Sequence, residues 1–410
     1  MGTVSGNHFG GTIAYLGSLD FPERNAAANL AIATSATIAI SGYRVVICGR
    51  QGPESCTADP VLPRGVYLRL RPTHKGWMDR VNPVHTLSFY LACLRSEKDL
   101  VMVIAYNMPA LVLTGVLAWA RRRHLPVIAH CTEWYARVPW RSGFLHAAAR
   151  NVDTALRMRL LHRLVDALLV SSHYLREFYG SKKTLVYPTL SSNLASGETG
   201  PRSAIPRLIY AGQPFAAKSR NIRARQMKDR LDLILELLRD AYEGGARFQF
   251  DVYGLTREAY IAAVPKGVRV LDKLADSVVF HGKVKSEFAA AAIRDADYSI
   301  LIRDRNRVTL AGFPTKFSES VLQGTPVLAN AVGEIERYLR GGVNGFVLSR
   351  TSADVHVLSD ALALGPEDRA AFKELCAKNS RNLSAEAWVQ TLGNFIGSVC
   401  SRNSTAGDHC

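Results

Sequence analysis

Short apolar runs of strand length recur along the first half of the chain, at 12–16, 44–48, 100–105, 126–131 and 167–171, and amphipathic stretches of helical length separate most of them. That alternation predicts βα units, and so a mainly parallel sheet covered by helices on both faces. Residues 184–188 close this series. Residues 190–206 are rich in Ser, Gly, Pro and Asn and poor in large apolar side chains, the composition of a linker between domains. A second series then runs through 207–211, 248–253, 278–282, 298–302, 327–329 and 346–348, with its longest helix expected over 226–241. The expectation is an α/β chain of two doubly wound domains, 1–189 and 207–380, joined by 190–206 and facing each other across a cleft that suits a ligand. Residues 381–410 are expected to form a C-terminal helix and tail that packs back on the first domain.

The run at 100–119 is about long enough to cross a bilayer and ends beside Arg121, Arg122 and Arg123, so a membrane span is the alternative reading there. Asn107 and Pro109 interrupt it near the middle, which favours a buried strand followed by a helix that Pro109 opens. At 410 residues the chain exceeds one ordinary core. Its 51 Lys and Arg outnumber 35 Asp and Glu, for a formal charge of +16. Such a field favours polyanions: nucleic acid, an anionic membrane surface or diphosphate-bearing substrates. Seven scattered cysteines with no CxxC pair fit a reducing compartment. Residues 1–19 lack the basic start and apolar core of a secretory leader, so a cytoplasmic protein is the expectation.

Segment 312–328 carries the strongest chemical signal. It places a charged helix start between two buried strands, and in open α/β sheets ligands settle there because free amides and the helix dipole favour anions. Thr315 suits the N-cap, Gly324 suits the position after the C-cap, and Lys316 and Glu319 share a face. Alone, the last two amount to a surface pair of roughly 0.2–0.5 kcal/mol. Their neighbours point further: Arg303, Arg307 and the turn Gly312, Phe313, Pro314 gather cations and backbone donors that need an anion to complete them. Upstream, the strand at 207–211 ends at Gly212, and Lys218, Arg220, Lys228 and Asp229 follow. Lys228, expected at a helix start, is the candidate there to close on a diphosphate.

In the first domain Gly17 ends the first strand, Asn25 leads into the next helix, and Glu133 follows the strand that reaches Cys131. Glu133 suits a base or a hydroxyl-orienting group, and Trp134 is expected to pack as core. His130 has no recognisable partner for a dyad or a metal site. Two basic stretches, 64–80 with Arg69, Arg71, Lys75 and Arg80, and 121–163, are solvated faces by default and lipid-headgroup docking surfaces otherwise. No helix-turn-helix, zinc or RNA-binding signature accompanies them, so nucleic acid is not an expected partner.

Residues 19–28 (Leu-Asp-Phe-Pro-Glu-Arg-Asn-Ala-Ala-Ala), 131–135, 171–175 and above all 311–327 together make the chain resemble the bacterial family 4, or group 1, glycosyltransferases with a GT-B fold of two Rossmann-like domains. The resemblance implies a second domain that binds a nucleoside-diphosphate sugar and a first that binds a glycan or lipid-linked acceptor through Gly17, Asn25 and Glu133. It implies transfer with retained anomeric configuration, no metal and no resident cofactor, in cell-surface polysaccharide assembly (capsule or lipopolysaccharide) at the cytoplasmic membrane face. Glu319 would hold the ribose hydroxyls, Lys316 and the amides of Gly312 to Thr315 would face the diphosphate or donor sugar, and Arg303 and Lys228 would neutralise the departing diphosphate. Gly212 and Arg307 complete the donor-site set, and Lys316, Glu319 and Arg303 the catalytic one. Many members carry two glutamates eight positions apart, and Ala311 stands here in place of the first. The alternatives are a nucleotide-sugar epimerase, a sugar-nucleotide binder without turnover, and a basic nucleic-acid-binding protein.

Overall fold

A computed structural model describes residues 10–21, 26–51, 62–72, 82–135, 137, 138, 143–180, 182–191, 203–216 and 219–405. The chain forms two compact units, Met1–Ser192 with Ala385–Cys410, and Asn193–Ser384. The first holds a seven-stranded sheet in the order β3-β2-β1-β4-β5-β6-β7. Its strands are β1 Thr12–Phe21, β2 Arg44–Gln51, β3 Val66–Arg71, β4 Leu100–Tyr106, β5 Val127–Cys131, β6 Ala167–Val170 and β7 Thr184–Val186. The second holds six, in the order β10-β9-β8-β11-β12-β13. These are β8 Arg207–Ala211, β9 Gln249–Tyr253, β10 Val278–Gly282, β11 Tyr298–Leu301, β12 Val327–Asn330 and β13 Gly345–Leu348. Every pairing is parallel. Parallel sheets need both faces covered, which is why β4 and β6 read as unbroken apolar runs and β5, β11 and β12 as mainly apolar ones.

Two strands depart from the expectation. β3 falls inside the basic stretch 64–80: it pairs only with β2, and its sequence Val-Tyr-Leu-Arg-Leu-Arg alternates as an edge strand does. β1 runs past Leu16 to Phe21, because Asp20 and Phe21 resume pairing with Arg50 and Gln51 after a bulge and Phe21 is fully buried. Residues 100–119 form β4 and the separate helix Ala110–Arg121, with Asn107 in the left-handed region at φ 42° between them. Among the described residues no helix is long and apolar enough to cross a membrane.

The helix expected over 226–241 spans Leu231–Glu243 instead, and Pro366–Asn379 is longer by one residue. Lys228 and Arg230 donate their amides to Pro214 O and Ile302 O, 2.8 and 2.7 Å away, so tertiary contacts hold this stretch out of the helix. Of residues 190–206, 192–202 lie outside the described residues, and Leu190 is buried in the first unit's core. The C-terminal helix Val389–Thr405 returns to that core, where Leu392, Ile396 and Val399 join the cluster of Ile13, Ile38 and Ile47.

Candidate active site

In the second sheet the strand order reverses between β8 and β11, and the crevice beyond the carboxyl ends of such a pair is where open α/β sheets take ligands. β8 leads into Gly212, whose amide continues the ladder to Tyr253 O at 2.9 Å. A Cβ at 212 would lie 2.1 Å from Lys316 Cε, so the lysine side chain crosses the glycine at a distance no other residue permits. Gly254, at φ 95°, repeats the device one strand over: a Cβ there would lie 2.7 Å from Gly212 O.

Lys316 Nζ donates to Asp229 Oδ2 at 2.7 Å, and the Tyr210 hydroxyl donates to the same oxygen at 2.9 Å. Arg303 Nε stands 3.2 Å from Asp229 Oδ1. Burial by itself would raise the Asp229 carboxyl, but Lys316 and Arg303 outweigh it and hold the group below its ordinary value. Burial and the adjoining Asp229 charge push the Tyr210 hydroxyl well above its ordinary value, so it remains a donor. Two cations share one carboxylate, which leaves one net positive charge at the strand ends. The anion that the cationic loop requires is thus partly supplied by the chain itself.

Arg303 is fully buried. Its Nη1 donates to Gly312 O at 3.3 Å, and Asn330 at the end of β12 clamps its backbone with two 2.8 Å hydrogen bonds. It therefore fixes the turn that precedes Lys316, with its guanidinium directed at Gly312 O and Asp229 rather than at the surface. Local sequence builds that turn. Asn306 caps the helix Arg307–Ala311, the Gly312 amide closes it on Val308 O at 3.1 Å, and Pro314 at φ −76° starts the next helix, Thr315–Leu322. Thr315 is accordingly the first helical residue, not the cap, and the Gly312 amide is spent within the preceding helix. The far end is a Schellman motif, with Gly324 at φ 73° and amides of Gly324 and Thr325 returning to Val321 O and Ser320 O.

The remaining expected donor-site residues sort by burial. Phe313 packs edge-on against Phe317 and Tyr338 and, with Pro314, is interior. Thr315 and Glu319 are half-buried on the helix that carries Lys316, while Lys228 and Arg307 are exposed. Lys228 precedes the helix Leu231–Glu243 instead of opening it, and Lys218 lies outside the described residues. Ala311 is fully buried at the end of its short helix. Asp229 is the residue that sequence reasoning passed over. The available signal was a lone acid in a cationic loop.

In the first unit the order reverses between β1 and β4. Gly17 pairs with Tyr106 across that junction and accepts the Tyr90 hydroxyl at 2.8 Å. It lines a small open pocket with Ser18, Arg50, Arg71 and Thr86. Glu133 follows β5, close enough to raise the hydroxyl of Tyr106, which burial above all lifts to about 12. Gly17 and Glu133 thus both border Tyr106, while Asn25 lies outside the described residues. Trp134 is half-buried, edge-on to Tyr174 and Phe178. His130 does have a partner: its Nδ1 is 2.8 Å from the Tyr15 hydroxyl, and burial lowers its pKa to about 3, which keeps it neutral.

Residues 221–363 match the family model of the group 1 glycosyl transferases. The matched stretch contains Asp229, Arg303, Lys316 and Glu319. Solved structures agree over nearly the whole chain. WaaG, a glycosyltransferase involved in lipopolysaccharide biosynthesis, is 15% identical with a TM-score of 0.58, covering 94% of this chain and 99% of its own. Sucrose-phosphate synthase from Thermosynechococcus elongatus is 15% identical with a TM-score of 0.55 over 97% and 98%. HepE from Anabaena, solved with UDP and glucose, is 12% identical with a TM-score of 0.52 over 98% and 100%. A search of curated proteins gives no match. The fold is GT-B, two Rossmann-like α/β domains, and with the family match it supports a group 1 glycosyltransferase.

Proposed function

We propose that this GT-B protein is a retaining glycosyltransferase that moves a hexose or related sugar from a nucleoside diphosphate to a glycan or lipid-linked acceptor in cell-surface polysaccharide assembly. The observation that carries this reading is Lys316 laid across Gly212 at the β8/β11 junction, on the first turn of a helix whose Thr315 and Lys316 amides precede its first hydrogen bond, Phe317 N to Pro314 O. In the reaction the bond from the anomeric carbon to the diphosphate breaks with its electron pair staying on phosphate. The acceptor oxygen bonds to the same face, and its proton ends on the diphosphate. Charge therefore grows on the leaving group, and a fixed ammonium beside oriented amides stabilises it without need of a metal. Glu319, three residues further along the same helix, is assigned to the ribose hydroxyls. Gly17, Glu133 and the Arg50–Arg71 pocket are assigned to the acceptor.

A thermal-shift screen across nucleoside diphosphates and their sugars tests the reading, since a ligand of the folded state raises the melting temperature. Lys316→Ala and Glu319→Ala should each abolish the shift and the turnover while the protein stays folded, Lys316→Ala at a modest cost in the unliganded melting temperature because Asp229 loses one of its two cations. Unchanged kinetics in both variants would sink the site assignment. Buried Ala311 at the position of the usual first glutamate favours one second reading, a binder without turnover, in which the shift appears but no sugar is released or transferred.

A further inference from the structure

Two thiols of the first unit meet between its second strand and the helix Pro83–Ser96. Cys48 sits on β2, level with Leu16 of β1 and Arg69 of β3, and is fully buried. Cys93 lies on the inner stripe of the helix with Tyr90 and Leu94 and is 7% exposed. The two side chains hydrogen-bond to each other across a long separation in sequence. Arg69 acts on both thiols and pairs with Glu97 at 2.5 Å, whereas Lys75 and Arg80 of the same basic stretch lie outside the described residues.

Most buried cysteines behave as small apolar side chains and are inert. Burial lifts the Cys131 and Cys376 thiols to about 12 and raises that of Cys400. Among the described cysteines Cys93 is the one that moves down. The hydrogen bond from Cys48 lowers its thiol and Arg69 adds to that, against the opposing effects of burial and Glu97. Cys48 is shifted upward, first by the same hydrogen bond and then by burial. One sulfur is therefore the readier thiolate and the other its proton-bearing neighbour, the division between an attacking and a resolving thiol.

Position gives the pair a consequence. Gly49 and Arg50 directly follow Cys48, and Thr86, Phe89 and Tyr90 precede Cys93 on its own helix; all five, with Arg71 from β3, line the pocket at Gly17. A bond between the sulfurs ties together the segments that form most of the pocket wall. We infer that Cys48 and Cys93 are a reversible redox pair that a peroxide closes to a disulfide, narrowing this pocket. The Cys93 thiolate attacks one peroxide oxygen and the O–O bond breaks, leaving a sulfenic acid and, with the thiol's proton, water. Cys48 then attacks the Cys93 sulfur, the S–O bond breaks, and hydroxide leaves with the Cys48 proton as a second water. Two thiols have lost two electrons to one peroxide, and a dithiol reductant returns them by exchange. In a reducing compartment such a bond is transient and regulatory. A disulfide holds its sulfurs at about 2.0 Å, closer than any hydrogen bond, so the helix is drawn toward β2. The redox chemistry is independent of the proposed function; only its effect on the acceptor rests on the assignment of this pocket to the acceptor.

The test is oxidation of the full chain by hydrogen peroxide, followed by unfolding, alkylation of the remaining thiols, digestion and mass spectrometry. The expected result is a peptide pair linked through Cys48 and Cys93 that dithiothreitol separates, with Cys131 and Cys376 recovered in alkylated form. Cys48→Ser should leave Cys93 as a sulfenic acid that dimedone traps, and Cys93→Ser should leave Cys48 unoxidised, so each variant checks the other if one folds poorly. Closing so long a loop should raise the melting temperature of the oxidised parent by about 5–10 °C, a shift absent from both variants. Slower amide exchange in Pro83–Ser96 on oxidation reads the approach of helix and strand without any acceptor. With donor and acceptor present, oxidation should raise the acceptor KM about threefold or more and leave nucleoside-diphosphate affinity unchanged. Absence of the linked peptide, or preferential linkage to another cysteine, overturns the redox pair. A linked protein with unchanged exchange in Pro83–Ser96, or with an unmoved acceptor KM, overturns the narrowing of the pocket. A linked protein that transfers no sugar in either redox state overturns the proposed function and leaves the redox pair standing.

Discussion

Lys316 occupies the space that a side chain at Gly212 would need. A Cβ there would stand 2.1 Å from Lys316 Cε and 2.6 Å from Nζ. Gly212→Ala should therefore expel the lysine and act as a donor-site mutation although it adds only a methyl group. Donor affinity, read by calorimetry with a nucleoside diphosphate, should fall about tenfold or more, since one charge-assisted contact contributes roughly 1.5–3 kcal/mol. The double variant Gly212→Ala/Lys316→Ala should bind no worse than Lys316→Ala. Additive losses would show that the glycine acts through something other than the lysine.

Asp229→Asn removes the counter-charge of a fully buried guanidinium. Breaking a buried ion pair from one side costs about 3–5 kcal/mol, and the second unit should lose stability on that scale. Lys316→Met should cost less, because the lysine end of the network is partly solvated. Urea unfolding midpoints decide the matter: equal midpoints for Asp229→Asn and the parent chain would dismiss the network as a stabilising element.

Acid should loosen the first unit before it titrates ordinary carboxylates. His130 and His162 are both lowered from 6.5 to about 3 by burial, with Arg157 adding to the effect at His162. Between those values the unfolded chain holds protons that the folded chain does not, so stability falls as pH drops through this window. The slope is up to about 1.4 kcal/mol per pH unit for each histidine. His130→Gln and His162→Gln should each flatten it by about one proton. A slope that neither variant changes would mean that other groups carry it.

Gly324→Ala should lower the melting temperature without touching donor affinity. The residue sits at φ 73°, and a Cβ would also press on Lys373 O at 3.1 Å. Roughly 1–2 kcal/mol is expected from the left-handed backbone alone. A matching loss of donor affinity would instead tie the end of the helix to its start.

Legibility in the sequence followed locality. Most strands were readable because parallel strands buried on both faces announce themselves as apolar runs, and the lysine helix because Pro314 and Gly324 bracket it. The edge strand Val66–Arg71 was not, since its alternating arginines look like any solvated segment. The late start of Leu231–Glu243 was hidden because the contacts that delay it, to Pro214 and Ile302, are tertiary. Asp229 was hidden for the same reason: Lys316 lies 87 residues further along the chain. The stretch 121–163 reads in sequence as a basic solvated face, yet the packed structure shows that Phe144–Leu164 carries apolar residues on both its faces.

The return of Val389–Thr405 to the first unit bears on the order in which the protein is made. Leu392, Ile396 and Val399 belong to the same core as Ile13 and Ile47. That core remains open while the whole of Asn193–Ser384 is being synthesised. The unit that begins first is thus the one that closes last, and its uncovered apolar face is what chaperones or aggregation would meet during translation.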